Sequence, residues 1–407
     1  MTMTARAGRR GKDIRSDCWV QITLAENGGR SIALSSKVDV LYGRSIRALV
    51  DDVLAFFSID HAAVEVEDAG ALPYTIAARV EAAVRRLHPE ETREYLLPAI
   101  PGTTAHSARD RFRRSRLYLP GNDPKLAINA GIHQPDGVIL DLEDSVAPDS
   151  KDDARILVRN TLRAVDFQGA ERMVRINQLP LGYEDLRAVV PQSPQLLLIP
   201  KCETARQVQE VDAAIGDILR ERNLKADIFL MPIIESALGA LNALEIATAS
   251  TAVVALAVGL EDYTADIGAE RTLEGRESQW MRGAVVNAAR AAGIQPIDTV
   301  FSDVGDMDGL RASAKEARSL GFDGKGCIHP RQIPVVHDAF APDEHEIARA
   351  KKIVLAFEDA ERRGLGVVAL GSKMIDPPVV KRAQRTITIA LKAGLLAAEW
   401  REEDAHA

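Results

Sequence analysis

Eight short apolar runs alternate with helix-like stretches between Arg116 and His329, and this alternation limits the possible folds. Strands that alternate with helices predict an α/β fold with a parallel sheet, because parallel strands need a crossover that is usually helical. Eight such units favour a closed (β/α)8 TIM barrel. An open doubly wound sheet is the alternative, but its glycine-rich fingerprint is missing after the first run, SRLYLPGND. The runs lie near residues 116–119, 138–142, 172–176, 196–200, 228–234, 253–259, 295–298 and 325–328.

The sequence on either side of the predicted barrel indicates a second domain, a linker and a C-terminal segment. Residues 1–97 read as a small α+β domain in which residues 1–12 are disordered. Residues 98–112 carry proline, glycine and serine without periodicity, which predicts a linker. The barrel is assigned to 113–330. The remainder, 331–407, is predicted to be a helical lid over the barrel mouth or an oligomerisation segment.

Composition limits the classes of function. The 407 residues predict two or three domains, and a formal net charge of −8 argues against a nucleic-acid partner. The three cysteines, Cys18, Cys202 and Cys327, lack metal-like spacing and favour a cytoplasmic location. We find neither a signal-peptide pattern nor an apolar run of membrane-spanning length, so no membrane association is expected.

Two acidic residues follow neighbouring apolar runs. Glu235 closes FLMPIIE and Asp262 follows VVALAVGLED, one strand–helix unit later. Both should project from adjacent strand ends at the C-terminal face of the barrel, where the loops of this fold build active sites. Proteins commonly hold Mg²⁺ with one or two carboxylates. The pair therefore predicts a magnesium site, while the alternative is that each acid caps a helix, a role open also to Ser236.

A third candidate is Arg175, which ends the run RMVR. An arginine in a buried strand is costly unless it is paired. Its planar fork suits a carboxylate or a developing enolate oxygen. The alternative is a structural ion pair with Asp141 or Glu143 of DLEDS, and the two roles are compatible. Asp144 of the same segment is predicted to cap a helix.

Two further polar residues stand at strand or helix ends. Lys201 follows LLLIP and could form a Schiff base, but nothing nearby predicts a lowered pKa, so a structural or carboxylate-binding role is favoured. Asp376 precedes Pro377 and Pro378, and these residues alone favour a helix cap.

A set of motifs runs in order through residues 113–390, and together they resemble the citrate lyase beta-subunit family of the HpcH/HpaI aldolase superfamily. The family includes malyl-, citramalyl- and citryl-thioester lyases. The motifs are RRSRLYLPGNDP, GVILDLEDSVAPDSKDDAR, RMVRIN, LIPKCET, PIIESALG, GLEDYTADIG, GKGCIHPRQI and SKMIDPPVVKRAQR.

This resemblance implies roles for the candidate residues. Glu235 and Asp262 would bind Mg²⁺, and Arg175 would contact the reacting acyl or enolate group. Asp376 would reach into a neighbouring subunit as the acid/base, which implies a homo-oligomer, often a trimer or hexamer. We further expect four residues of the motifs to bind substrate or to hold the groups that do, namely Asp141, Glu143, Asn177 and Lys201.

The N-terminal domain carries a second resemblance. SSKVDVLYGRSIRALVDDVL and VEDAGALPYTIAARVEAAV resemble the acyl carrier (gamma) subunit of citrate lyase. That family carries a CoA-like prosthetic group on a serine, which aligns with Arg15 here and leaves Ser16 as the candidate attachment site. The domain is therefore a loaded carrier, a docking domain or a relic, and citrate-lyase-like partner subunits are compatible with it.

These features predict an Mg²⁺-dependent carbon–carbon lyase. It would cleave a citryl-, citramalyl- or malyl-CoA thioester to an acyl-thioester and a 2-oxo acid by retro-Claisen chemistry. Two alternatives stay open. The same residues could condense acetyl-CoA with a 2-oxo acid and hydrolyse the thioester, as a malate or citramalate synthase does, or the barrel could be a non-catalytic carrier scaffold.

Overall fold

The computed structural model describes residues 3–103, 105–364, 368–370 and 373–403. The chain divides into two compact units, Met1–Ile333 and Pro334–Ala407. The domain boundaries predicted at residues 97, 112 and 330 stay predictions. Within the described residues, no helix combines the length and apolar character that crossing a membrane requires.

The first unit begins with a four-stranded sheet and two helices. The sheet order is β1-β2-β4-β3, with β3 and β4 parallel and the other pairs antiparallel. Val20, Ile22, Val64 and Val66 alternate along the two central strands and are at most 1% exposed, so one face of the sheet is the core. The elements are β1 (Thr4–Gly8), β2 (Cys18–Leu24), β3 (Arg30–Ser36), α1 (Asp39–Phe56), β4 (Ala62–Asp68) and α2 (Pro73–Leu87).

The disorder predicted for residues 1–12 was wrong for β1. This strand pairs with β2 from Thr4 opposite Thr23 to Gly8 opposite Trp19. Its sequence, TARAG, offers only alanine as an apolar signal, and Ala5 and Ala7 become buried only because the strand joins the sheet. Tertiary pairing therefore forms an element that local pattern does not predict.

Eight parallel strands then close into a barrel, which confirms the predicted TIM-barrel fold. They run around the barrel in the order β10-β11-β12-β5-β6-β7-β8-β9. Buried apolar side chains such as Ile139, Met173, Leu198 and Met231 form one cluster of the core. The strands are β5 (Ser115–Pro120), β6 (Gly137–Asp141), β7 (Glu171–Arg175), β8 (Leu196–Ile199), β9 (Phe229–Ile234), β10 (Ala255–Val258), β11 (Gln295–Asp298) and β12 (Gly324–Cys327).

Helices follow the barrel strands and leave the carboxyl ends of all eight strands on one rim. Local signals fix where some helices begin: Thr204 and Gln207 form a capping box at the start of α6. The helices are α3 (Pro124–Ile128), α4 (Lys151–Ala164), α5 (Gly182–Val189), α6 (Ala205–Glu221), α7 (Ala237–Leu241), α8 (Ala243–Ala247), α9 (Leu260–Asp266), α10 (Gln279–Ala291) and α11 (Met307–Leu320). The next helix, α12 (Gln332–Phe340), begins at the end of this unit and belongs mostly to the second.

Ion pairs join the N-terminal sheet module, residues 3–87, to the barrel. Arg159 on α4 is 1% exposed and binds Glu81 on α2 through both terminal nitrogens, at 2.7 and 2.8 Å. Arg86 on α2 pairs with Asp153 on α4 at 2.7 Å. Removing one partner of a buried pair leaves an uncompensated charge, which is strongly destabilising. These contacts therefore fix the module on the barrel.

The second unit is a small helical assembly with a two-stranded sheet. Ile353, Val354, Val380 and Ile387 pack in one core with Trp400, which is fully buried. Apolar residues at helical spacing predict the last long helix of this unit over 378–401, but it ends at Lys392, because Gly394 takes a positive φ of 69° just beyond it. The elements are α13 (Glu344–Arg362), β13 (Val368–Leu370), β14 (Lys373–Ile375), α14 (Pro377–Lys392) and α15 (Trp400–Glu403).

Candidate active site

The carboxyl ends of five neighbouring strands bring most of the predicted residues to one rim of the barrel. Asp141 ends β6 and Arg175 ends β7, while Lys201 lies just beyond β8. Glu235 directly follows β9, and Asp262 lies in the first turn of α9 after β10. Adjacent strands of a parallel barrel present these ends side by side, so the residues form one polar cluster.

Arg175 is held by the acids that the sequence suggested as partners. Its Nε and Nη2 donate to the two carboxylate oxygens of Asp141 at 2.6 and 2.8 Å, and Nη1 lies 2.8 Å from Glu143. Burial alone would lower the pKa of Arg175, but the bonds to Asp141 outweigh it and raise that pKa. Burial likewise opposes ionisation of Asp141, yet Arg175 holds the pKa of that carboxyl below its usual range. The structural ion pair is thus present, and both groups stay charged.

The Lys201 side chain lies between the acidic segment after β6 and Asp262, which follows β10. Its ammonium lies 2.8 Å from Glu143, 3.4 Å from Asp144 and 3.9 Å from Asp262. Burial lowers its pKa, but the bond to Glu143 and the nearby carboxylates more than compensate, so the pKa is raised. A raised pKa keeps Lys201 protonated and argues against a Schiff-base role.

The expectation that Asp144 caps a helix was wrong. The helix that follows, α4, is preceded at its N-cap by Ser150, and the Asp144 carboxylate lies near Arg175 and Lys201 instead. Attraction to two cations, rather than to a helix end, decides its position.

Glu235 has an enclosed carboxylate. The residue is 4% exposed, and its Oε1 accepts the backbone N–H of Lys201 at 2.6 Å. Oε2 lies against Gly259, where an added Cβ would come within 2.3 Å of that oxygen, so only glycine leaves room for the carboxylate. Burial and, next among the raising effects, the neighbouring Asp262 raise the pKa of Glu235 to about 8, despite the Lys201 bond that lowers it.

Neither acid of the predicted metal pair caps a helix. Ser236 caps α7 by accepting the N–H of Gly239 at 3.1 Å, and Gly259 occupies the N-cap position of α9. The alternative weighed from sequence was therefore wrong for Glu235 and Asp262. Both carboxylates remain available to a ligand.

The donors in this cluster suit a hard divalent cation. Glu235 and Asp262 offer carboxylate oxygens, and the Lys201 ammonium already lies near Asp262. In the described part of the chain, no group of three or more His, Cys, Asp or Glu side chains is arranged to hold a metal. Two carboxylates with room for water and substrate fit Mg²⁺, which seldom uses an all-protein cage.

Three predicted residues are held by contacts of their own. Asn177 donates its backbone N–H and its side-chain amide to one oxygen of Asp185, at 2.7 and 2.8 Å, which fixes the loop after β7. Asp376 caps α14 of the second unit by accepting the N–H of Val379 at 3.1 Å, and its side chain is exposed. Ser16 has a positive φ of 57° and donates its N–H to Ala69 at 3.0 Å.

Sequence reasoning missed two features near the cluster. The ring of Tyr118 on β5 lies 5.5 Å from the Arg175 guanidinium. A cavity of about 650 Å³ opens beside Leu260, and Lys325 and Asp298 in its wall form a buried pair at 2.8 Å. The available signal was that Tyr118, Asp298 and Lys325 are polar residues within predicted barrel strands.

Comparison with known proteins decides the family. The model of the HpcH/HpaI aldolase/citrate lyase family matches residues 114–330. The chain belongs to this family. A second model, the malonate decarboxylase delta subunit (MdcD), matches residues 5–87, where an acyl-carrier-like domain was expected.

Curated relatives and a solved structure agree with this assignment. Citrate lyase subunit beta of Leuconostoc mesenteroides subsp. cremoris is 40% identical over 284 residues, covering 69% of this chain and 94% of that protein. Mitochondrial citramalyl-CoA lyase of Homo sapiens is 35% identical and covers 68% and 85%. CitE of Mycobacterium tuberculosis, solved with magnesium, acetoacetate and coenzyme A, superposes with a TM-score of 0.57 at 31% identity, covering 70% of this chain and all of that one.

Membership in this family confirms the resemblance drawn from the motifs. It also confirms the predicted enzyme class, a carbon–carbon lyase.

Proposed function

We propose that the chain is an Mg²⁺-dependent lyase that cleaves a citryl-, citramalyl- or malyl-CoA thioester to an acyl-thioester and a 2-oxo acid. The observation that carries this proposal is the buried Glu235 carboxylate, with a pKa of about 8, beside Asp262 on the rim that also holds Arg175. The named activities of the relatives and the ligands of CitE support it.

Glu235 and Asp262 would hold the Mg²⁺ ion. When bound, the ion acts as a Lewis acid toward the hydroxyl and carboxylate oxygens of the substrate. The chain supplies the preorganised surroundings: Gly259 makes room for Glu235, and the Lys201 N–H aims one of its oxygens.

Arg175 would stabilise the thioester oxygen as negative charge develops there. In retro-Claisen cleavage the bond between the carbinol carbon and the α-carbon of the thioester breaks, and its electron pair moves into a thioester enolate. The carbinol carbon becomes the carbonyl carbon of the 2-oxo acid as its hydroxyl proton passes to water. Because Asp141 fixes the guanidinium, this charge needs no reorganisation during the reaction.

Glu143 and Asp144 orient the Lys201 ammonium, which would bind a substrate carboxylate. Asp141 would position Arg175 for the substrate, and Asn177 would position the loop after β7.

Asp376 would protonate the enolate carbon from a neighbouring copy of the chain, and in reverse would remove that proton. This role requires a homo-oligomer, which we propose to be a trimer or hexamer. The exposed Asp376 carboxylate in the second unit supports the proposal, because it uses one bond to cap α14 and remains open to solvent.

Two further aspects complete the proposal. Cys18, Cys202 and Cys327 are all free and buried, which supports a cytoplasmic location. The N-terminal module would serve substrate binding or docking to citrate-lyase-like subunits, with Ser16 the attachment site if a CoA-like group is loaded.

A substrate panel tests the proposed function. The purified full chain is incubated with citryl-, citramalyl- and malyl-CoA, with Mg²⁺ or with excess chelator, and the 2-oxo acid, acetyl-CoA and free CoA are quantified. We expect 2-oxo acid and acetyl-CoA in equal amounts from at least one thioester, only with Mg²⁺. Glu235→Gln should abolish this activity, whereas the matched variant Ser236→Ala, which loses only the α7 cap, should keep it. Free CoA in place of acetyl-CoA would favour the condensing thioesterase, and no product from any thioester would reject both.

A further inference from the structure

The N-terminal module contains a cavity of its own, of about 510 Å³. It lies between the loop after β1 and the ends of β3 and β4. Five cationic side chains line it, those of Arg9, Arg10, Lys12, Arg15 and Lys37. Clefts lined by charge of one sign concentrate counter-ions, so this cavity favours an anionic ligand.

The two acidic residues in the wall of this cavity are already engaged. Glu67 pairs with Arg10 at 3.1 Å. Asp68 accepts the hydroxyl of Ser36 at 2.6 Å and the N–H groups of Gly70 and Ala71 at 3.0 and 2.8 Å. Neither acid therefore needs the remaining cations as partners.

Three of the cations are open to a ligand. Lys12, Arg15 and Lys37 are exposed, and they form no ion pair or side-chain hydrogen bond with the described residues. Charged donors form short and strong bonds to phosphate oxygens, and arginine can bind phosphate through two parallel bonds. Their convergence on one cavity fits a ligand with more than one phosphate group.

Arg9 connects this cavity to the rim of the barrel that carries the candidate active site. It donates to the carbonyl of Asn122 at 3.1 Å and lies 3.2 Å from the carboxylate of Asp123. Both residues follow the carboxyl end of β5. The adjoining Gly121 donates its N–H to the carbonyl of Asp141, whose carboxylate holds Arg175. The cavity and the candidate active site thus lie at the same rim of one compact unit.

We propose that this cavity binds, without a covalent bond, the phosphate-bearing nucleotide end of the thioester substrate. The inference rests on the proposed function, which makes that substrate a CoA thioester. The carrier-like module then acts as a fixed binding element, in keeping with the two ion pairs that attach it to α4, of which Arg159–Glu81 is buried.

Calorimetry on the full-length protein tests the site directly. The probe is 3′-phosphoadenosine 5′-diphosphate, with inorganic phosphate as a competitor. We expect the probe to bind and the double variant Arg15→Ala/Lys37→Ala to weaken it roughly tenfold, because two charge-assisted contacts are lost. The matched control is Arg222→Ala/Lys225→Ala, which removes two exposed cations before β9, at the opposite end of the barrel, and should leave the affinity unchanged.

Kinetics link the cavity to catalysis. The ratio of kcat/KM for the CoA thioester to that for the matching N-acetylcysteamine thioester, which lacks the nucleotide, should fall roughly tenfold in Arg15→Ala/Lys37→Ala. The Arg222→Ala/Lys225→Ala control should keep the ratio of the unaltered protein.

Several outcomes would overturn the inference. They are equal probe affinity in the unaltered protein and Arg15→Ala/Lys37→Ala, displacement of the probe by an equal concentration of inorganic phosphate, or a mass increase at Ser16 showing that a phosphate-bearing group is attached covalently. If the unaltered protein turns over neither thioester, the proposed function fails, while the calorimetry still decides whether the cavity binds a nucleotide.

Discussion

Lys201 contacts Glu235 with its backbone and Glu143 with its side chain. The N–H donates to Glu235 at 2.6 Å, and the ammonium lies 2.8 Å from Glu143. The backbone of Lys201 has a φ of 46°, a left-handed conformation that costs free energy for residues other than glycine. One strained residue therefore contacts both Glu143, which follows β6, and Glu235, which follows β9.

The strain at Lys201 can be measured with two substitutions. Lys201→Gly and Lys201→Ala both remove the ammonium, but only glycine adopts the positive φ without penalty. Lys201→Gly should be more stable than Lys201→Ala by about 1 kcal/mol in denaturant unfolding, while both lose substrate affinity. Equal stability of the two variants would show that the left-handed backbone carries no strain.

Magnesium binding should release protons at neutral pH. The pKa of Glu235, about 8, lies above its ordinary value, so without metal this residue contributes stability at low pH that is lost as the pH rises through about 8. A metal ligand must be deprotonated, so binding at pH 7 should release about one proton and binding at pH 9 far less. Calorimetry in buffers of different ionisation enthalpy measures this number.

The control for that titration is Glu235→Gln, which should neither bind Mg²⁺ appreciably nor release a proton. Binding by the unaltered protein at pH 7 without proton release would contradict the raised pKa.

The pair of Arg175 and Asp141 should contribute to stability as well as to activity. Arg175→Leu leaves the buried Asp141 without its cationic partner and should cost roughly 3 kcal/mol or more in unfolding free energy. The double variant Arg175→Leu/Asp141→Leu should be more stable than that single variant, because it leaves no isolated charge. A double variant that loses the sum of both single effects would exclude this coupling.

Arg175→Lys separates the two roles. It keeps a positive charge near Asp141 but loses the two parallel bonds, so most of the fold stability should remain while kcat falls about 100-fold or more. Unfolding curves and steady-state rates on the same samples provide the comparison.

If Asp376 acts in the active site of a neighbouring subunit, two inactive variants should restore activity when they form mixed oligomers. Asp376→Ser keeps a side chain that caps α14 but lacks the carboxylate, so the variant should fold normally and lose turnover. Glu235→Gln should be inactive for a different reason. Mixed oligomers of the two, co-purified through different tags, should regain activity because some sites combine an intact Glu235 with an intact Asp376. Inactive mixed oligomers would show that Asp376 does not act across subunits.

The barrel could be predicted from sequence because its strands are buried on both faces. Such strands read as continuous apolar runs, as in LLLI, where the predicted run at 196–200 matches the fully buried β8. β1 was missed because TARAG has no such run and depends on its pairing with β2. The end of α14 at Lys392 was missed although Gly394, a residue type that often follows a helix end, signals it in the sequence.

The candidate site was only partly visible for a similar reason. Acids and an arginine at strand ends can be seen in the sequence, so Arg175, Glu235 and Asp262 could be named. The N–H of Lys201 and the space at Gly259 come from three-dimensional placement, and neither residue type signals that role. Asp144 was misassigned because its two cationic partners come from other strands.

The central claim is that Glu235 and Asp262 hold the catalytic cation together. Mn²⁺ can replace Mg²⁺ at oxygen sites and scatters anomalously, so crystals grown with Mn²⁺ and a 2-oxo acid test the claim directly. We predict one anomalous peak within bonding distance of both carboxylates, absent from crystals of Glu235→Gln. A peak elsewhere, or none at a concentration that supports turnover, would contradict the account.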